Sequence, residues 1–67
     1  MPHRKDLLRF VRGVLAGEVG TRDDETFVTE SGRAASASEV LALLQSGALT
    51  GDESVCRAAP LTAGWLR

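Results

Sequence analysis

The chain has no Tyr and no Ile, and its aromatic content is Phe10, Phe27 and Trp65 alone. It has one cysteine, Cys56, so an internal disulfide is excluded, and the composition suits a reducing cytoplasm. It has one histidine, His3. With Cys56 and His3 each alone, no Cys or His pair has the spacing of a metal site, and no metal or other cofactor is expected. The run Asp23-Asp24-Glu25 lacks the ordered oxygen spacing of a calcium loop and reads as a solvated turn. No nucleophile lies beside a base, and Gly17 and Gly20 do not form a phosphate-cradling loop. The sequence therefore predicts a protein that is not an enzyme. No apolar run approaches the roughly 20 residues of a membrane span, and no signal-type apolar region follows the charged N-terminus. A cytoplasmic protein without a membrane partner or small-molecule substrate is expected. The charge balance is also flat, with a net charge of -1 and a pI near 5.7. A free-standing nucleic-acid binder is usually basic.

What is present is enough for one small domain spanning 1–67. Nine Leu and six Val supply most of the bulk. A core of this size yields only about 3–5 kcal/mol of net stability, so dimerisation or the rest of a longer polypeptide is expected to add more. The ending Trp65-Leu66-Arg67 reads as a boundary inside a helix, as in a piece of a longer protein. Charge is unevenly placed. Arg4, Lys5, Arg9 and Arg12 face only Asp6 in the first twelve residues, whereas Glu18, Asp23, Asp24, Glu25 and Glu30 face only Arg22. Such asymmetry is either a solvated surface or a means of steering a partner or a second copy.

Residues 3–16 predict a first helix, with Leu7, Leu8, Val11, Val14 and Leu15 on its apolar stripe and Phe10 beside them. Gly13 is the one poor helix former inside it. Pro2 suits the approach, and Ala16-Gly17 the stop. Residues 18–35 predict one or two short strands. Thr26-Phe27-Val28-Thr29 is the β-prone run, Val19 belongs to a facing strand, and Arg22-Asp23-Asp24-Glu25 and Glu30-Ser31-Gly32-Arg33 are turns. The few large apolar anchors make this segment the most mobile. Ala37 to Ser46 predicts a second helix. Ser36 and Glu39 have capping-box spacing, and Gly47 stands where a left-handed residue closes a helix. Ala48-Leu49, a turn at Thr50-Gly51-Asp52-Glu53, and Ser54-Val55-Cys56-Arg57 predict a hairpin. Pro60 then opens a last helix whose apolar side is Leu61, Trp65 and Leu66. Cys56 fits a small buried apolar residue.

The order helix, Ser46-Gly47-Ala48-Leu49, hairpin and Ala58-Ala59-Pro60-Leu61-Thr62 entry to a last helix resembles the C-terminal half of a winged helix-turn-helix domain. Asp52 to Arg57 stand at the wing. Pro60 and the Trp65-Leu66 pair match that pattern best. Ala59 stands where a capping Thr is usual, and Thr62 where a Gly is usual. The chain is also similar, over about residues 5–67, to the N-terminal segment of an alphaproteobacterial family of helix-turn-helix-like proteins of unknown function. The resemblance implies a small α+β fold of winged-helix type with two to three helices and a short β-hairpin. It implies a non-catalytic regulatory module in bacterial transcription. One departure stands out: residues 18–35 lack helical period where a full winged helix-turn-helix has a helix bracing the reading helix.

Two functions remain open at this level. On a DNA-binding reading, Ser38 and Gln45 reach base edges from the second helix, and Arg33 and Arg57 hold phosphates. That helix carries no Lys or Arg between Ala37 and Leu49, and Glu39 would repel phosphate. On a protein-protein interaction or homodimer reading, Val40, Leu41 and Leu44 form one stripe, which Leu43 and Ala42 widen. Leu43 then lies in an interface or packs beneath the wing or last helix. Trp65 is either an interface anchor or a core plug against Leu7 and Val11.

Overall fold

Leu7, Phe10, Val11 and Val14 recur at helical spacing and all turn inward from the first helix, α1 (Arg4–Leu15). The computed structural model describes residues 4–67, and the expectations for Pro2 and His3 lie outside them. Leu8 and Leu15, expected on the same stripe, are not in the core. Leu8 is half-buried and Leu15 is 41% exposed, because the stripe centres on Phe10 and carries those two positions around the outer side. Gly13 has a local reason. The Arg33 side chain crosses there, and a Cβ on Gly13 would stand 3.1 Å from its Cδ.

Three strands follow rather than one or two: β1 (Gly20–Asp23), β2 (Thr26–Val28) and β3 (Ala34–Ser36). Arg22 and Asp23 are strand residues, and the turn narrows to Asp24-Glu25, with Asp24 at a positive φ of 59°. Asp tolerates this left-handed conformation better than most residues. The Thr26 hydroxyl donates to the Asp23 carbonyl and steadies the turn. The turn before β3 is held from outside. The Ser31 amide and hydroxyl both donate to the Glu18 carboxylate, at 3.0 and 2.8 Å, and the Val19 amide donates to Glu30.

The second helix, α2, runs Ala37–Ser46 as the sequence predicts. Its start differs from the expected capping box. The Ala37 amide donates to the Glu25 carbonyl from the β1–β2 turn at 2.8 Å, while the Ser36 hydroxyl lies 2.9 Å from that of Ser38 and caps nothing. Gly47 closes the helix in the left-handed conformation, φ 85°. The hairpin of β4 (Leu49–Gly51) and β5 (Val55–Ala58) comes next. Its tip is built by Asp52, whose carboxylate accepts from the Ser54 and Val55 amides at 2.7 and 3.1 Å. The last helix, α3 (Thr62–Leu66), begins two residues beyond Pro60. Leu61, expected on its apolar side, is 61% exposed because it falls in the turn before the helix; Trp65 and Leu66 do pack on the core.

All five strands join one antiparallel sheet in the order β3-β2-β1-β5-β4. The two hairpins sit side by side, joined where β1 pairs with β5. Register puts Gly20, Phe27, Ala35, Leu49 and Cys56 on one face, and all five are buried. The helices cover that face: α1 packs on β3, β5 and α3, and α2 on β4, β2 and β3. Among the described residues the architecture is a small α+β domain of three helices and one sheet.

Candidate functional site

The inward stripe of α2 is Ala37, Val40 and Leu43, all buried. This corrects the expectation for Leu43. At 8% exposure it belongs to the core and has no surface to offer a partner. The helix turns another stripe outward at i, i+3, i+4 and i+7: Ser38, Leu41, Ala42 and Gln45. Leu41 and Leu44 rest partly on the core and remain half-exposed.

Two adjoining hollows run along this outer stripe and share Ser38 and Leu41. One is closed by the tip of the β4–β5 hairpin through Gly51, Asp52 and Glu53. The other is closed at the β1–β2 end by Arg22, Glu25 and Thr26, and by Glu39 at the start of α2. Together they form a groove with an apolar floor of Leu41, Ala42 and Leu44. The rim carries four carboxylates, on Glu25, Glu39, Asp52 and Glu53.

Among the described lining residues Arg22 is the one cation, and it is already engaged. Its guanidinium lies 6.0 Å from the centre of the Phe27 ring, and its Nε donates to the Asp24 carbonyl at 3.0 Å. An Nη donates at long range to the Glu53 carbonyl, and the Arg22 amide donates to the Ser54 carbonyl at 2.8 Å. Arg22 thus ties the two hairpin tips into one wall. The carboxylates of Glu25, Glu39 and Glu53 have no hydrogen bond or ion pair among the described residues. The Asp52 carboxyl has its pKa held below the usual range by the Ser54 and Val55 amides, which fixes its charge.

The four residues of the DNA-binding reading face three directions. Ser38 and Gln45 line the acidic groove. Arg33 turns back onto α1, where an Nη donates to the Arg9 carbonyl at 2.9 Å. Arg57 pairs with Thr50 on the sheet face opposite the helices. Trp65 is half-buried against the core on α3, apart from the groove-lining residues. Sequence reasoning missed Asp52, Glu53 and Glu25 as groove residues. Each reads as turn chemistry along the chain, and only the side-by-side hairpins bring them to α2.

Cys56 lies wholly inside, and burial pushes its thiol up to about 11. At neutral pH it stays protonated and unreactive. Among the described residues no group of three His, Cys, Asp or Glu is placed to hold a metal ion. No helix among them is long and apolar enough to cross a membrane. Comparison with protein-family models, curated proteins and solved structures gives no match.

Proposed function

We propose that this domain is a non-catalytic protein-binding module whose docking surface is the groove along α2. The observation that carries the reading is the combination of an apolar floor with a rim of four carboxylates, three of them without partners. Such a surface favours a cationic amphipathic segment. The apolar residues of that segment leave water on Leu41, Ala42 and Leu44, and its Lys or Arg residues meet the rim. The same rim repels a phosphate backbone, which needs cations where this groove has acids. The protein-interaction function is therefore favoured over direct DNA contact. A role inside a bacterial regulatory assembly, of winged-helix kin and cytoplasmic, fits this surface and the buried free thiol.

Fluorescence anisotropy with two labelled probes tests the proposal. One is an amphipathic helical peptide with Lys and Leu at helical spacing; the other is a short DNA duplex. The peptide binds at about 50 mM salt and weakens several-fold at about 200 mM, while the duplex binds at neither. Duplex binding that falls steeply with salt, together with no peptide binding, would overturn it.

A further inference from the structure

We propose that the groove's occupant is the outer stripe of α1 from a second copy of this chain. The inference rests on the groove being a docking surface and goes on to name what docks there. Opposite its core stripe, α1 carries Lys5, Leu8, Arg9, Arg12 and Leu15 at i, i+3, i+4, i+7 and i+10. This is a cationic amphipathic face of the kind the groove selects. Lys5, Arg9 and Arg12 are exposed, and their side chains have no hydrogen bond or ion pair among the described residues. Leu8 and Leu15 are absent from the core cluster. The lengths also match: twelve residues of α1 span about 18 Å, and ten residues of α2 about 15 Å.

The stripe cannot fill the groove of its own chain. Arg33 fastens the middle of α1 to the turn between β2 and β3. That turn lies at the opposite end of the strands from the Asp24-Glu25 and Asp52-Glu53 tips that wall the groove. The cationic and acidic surfaces are thus separate patches of one molecule. Two copies that exchange stripes close a two-fold dimer with both grooves filled, whereas a one-way contact leaves one groove and one stripe free and grows until a ring closes.

The experiment is sedimentation of the full chain and of two charge-reversed forms. The groove form carries Glu25→Lys and Glu53→Lys; the helix form carries Lys5→Glu and Arg9→Glu. All four positions are exposed, and circular dichroism checks that each form is folded. Glu→Gln and Lys/Arg→Gln versions replace any form that fails to fold. The unaltered chain gains mass with concentration at about 50 mM salt, and its apparent association constant falls about tenfold or more at about 500 mM. Each reversed form alone is monomeric, and a mixture of the two forms a complex. An unaltered chain that stays monomeric at low salt and about millimolar concentration overturns the second copy as occupant. Self-association that neither reversal changes overturns it as well, by placing the contact elsewhere. Capture of the Lys-Leu peptide by a monomeric chain would sink this inference and leave the docking groove standing.

Discussion

The Thr62 hydroxyl donates to the carbonyl of Ala48, fourteen residues earlier, and ties the start of α3 to the step between α2 and β4. The same oxygen accepts from the Ala59 amide at 2.8 Å. Thr62 is wholly buried, so both backbone groups depend on it. Thr62→Val keeps the shape and removes the hydroxyl. It is expected to cost about 1–3 kcal/mol, read as a lower urea midpoint at unchanged slope. Thr62→Ser, which keeps the hydroxyl, costs less.

Gly20 and Gly64 predict opposite signs for one substitution. A Cβ on Gly20 would stand 2.5 Å from Phe10 Cζ and 2.6 Å from Cys56 Sγ, where α1 meets the β1–β5 pair. Gly20→Ala is expected to destabilise by about 1–3 kcal/mol through overpacking. Gly64 lies inside α3 with nothing within 4 Å of an added Cβ. Gly64→Ala is expected to stabilise by about 0.5–1 kcal/mol. Thermal unfolding of the two variants beside the parent chain checks both.

Leu43 and Leu41 separate folding from docking. Leu43→Ala opens a cavity in the core and is expected to cost about 2–5 kcal/mol. For a domain of this size that approaches the whole stability. Leu41→Ser costs less, because Leu41 is already half-exposed, yet it removes apolar floor from the groove and weakens peptide capture. Denaturation ranks Leu43→Ala as the larger loss, and anisotropy on the folded Leu41→Ser chain reads the weakened capture.

Acid sensitivity follows from Glu18 and Asp52. The Thr29 hydroxyl, the Ser31 amide and hydroxyl, and the nearby Arg33 charge hold the Glu18 pKa below its usual 4.5. The Ser54 and Val55 amides lower that of Asp52 from 3.8. A carboxyl with a folded pKa below its unfolded one favours the native state above the unfolded pKa. That contribution is lost as pH falls through the folded value. Stability is therefore expected to drop below about pH 4.5. Glu18→Gln lowers the urea midpoint at neutral pH, and the gap from the parent chain closes in acid. A gap constant with pH would contradict this account of Glu18.

Much of the fold was legible because its signals are local. The spacing of Leu7, Phe10, Val11 and Val14, the Gly47 stop and the turn chemistry at Asp52 act within a few residues of themselves. β3 was not legible, since Ala34, Ala35 and Ser36 have no strand preference and are extended only by pairing with Val28, Phe27 and Thr26. Ser36 misled for a related reason. The first amide of α2, on Ala37, is met by the Glu25 carbonyl across the sheet, and the Ser36 hydroxyl turns to that of Ser38 instead of capping the first turn. Leu43 and Leu41 are both leucines on one apolar helix, and which is buried depends on where the sheet lies beneath it. The site was half visible: Ser38 and Gln45 were in view, while the acidic wall needed the pairing of β1 with β5.

A groove along α2 that docks a cationic amphipathic segment leaves its mark on the backbone amides around it. Amide chemical-shift mapping on the labelled chain, titrated at low salt with the Lys-Leu peptide and separately with a DNA duplex, tests it most directly. The peptide is expected to move the amides of Ser38, Leu41, Ala42, Gln45 and Glu53, and the duplex to leave them in place. Shifts at those amides from the duplex, with none from the peptide, would contradict it.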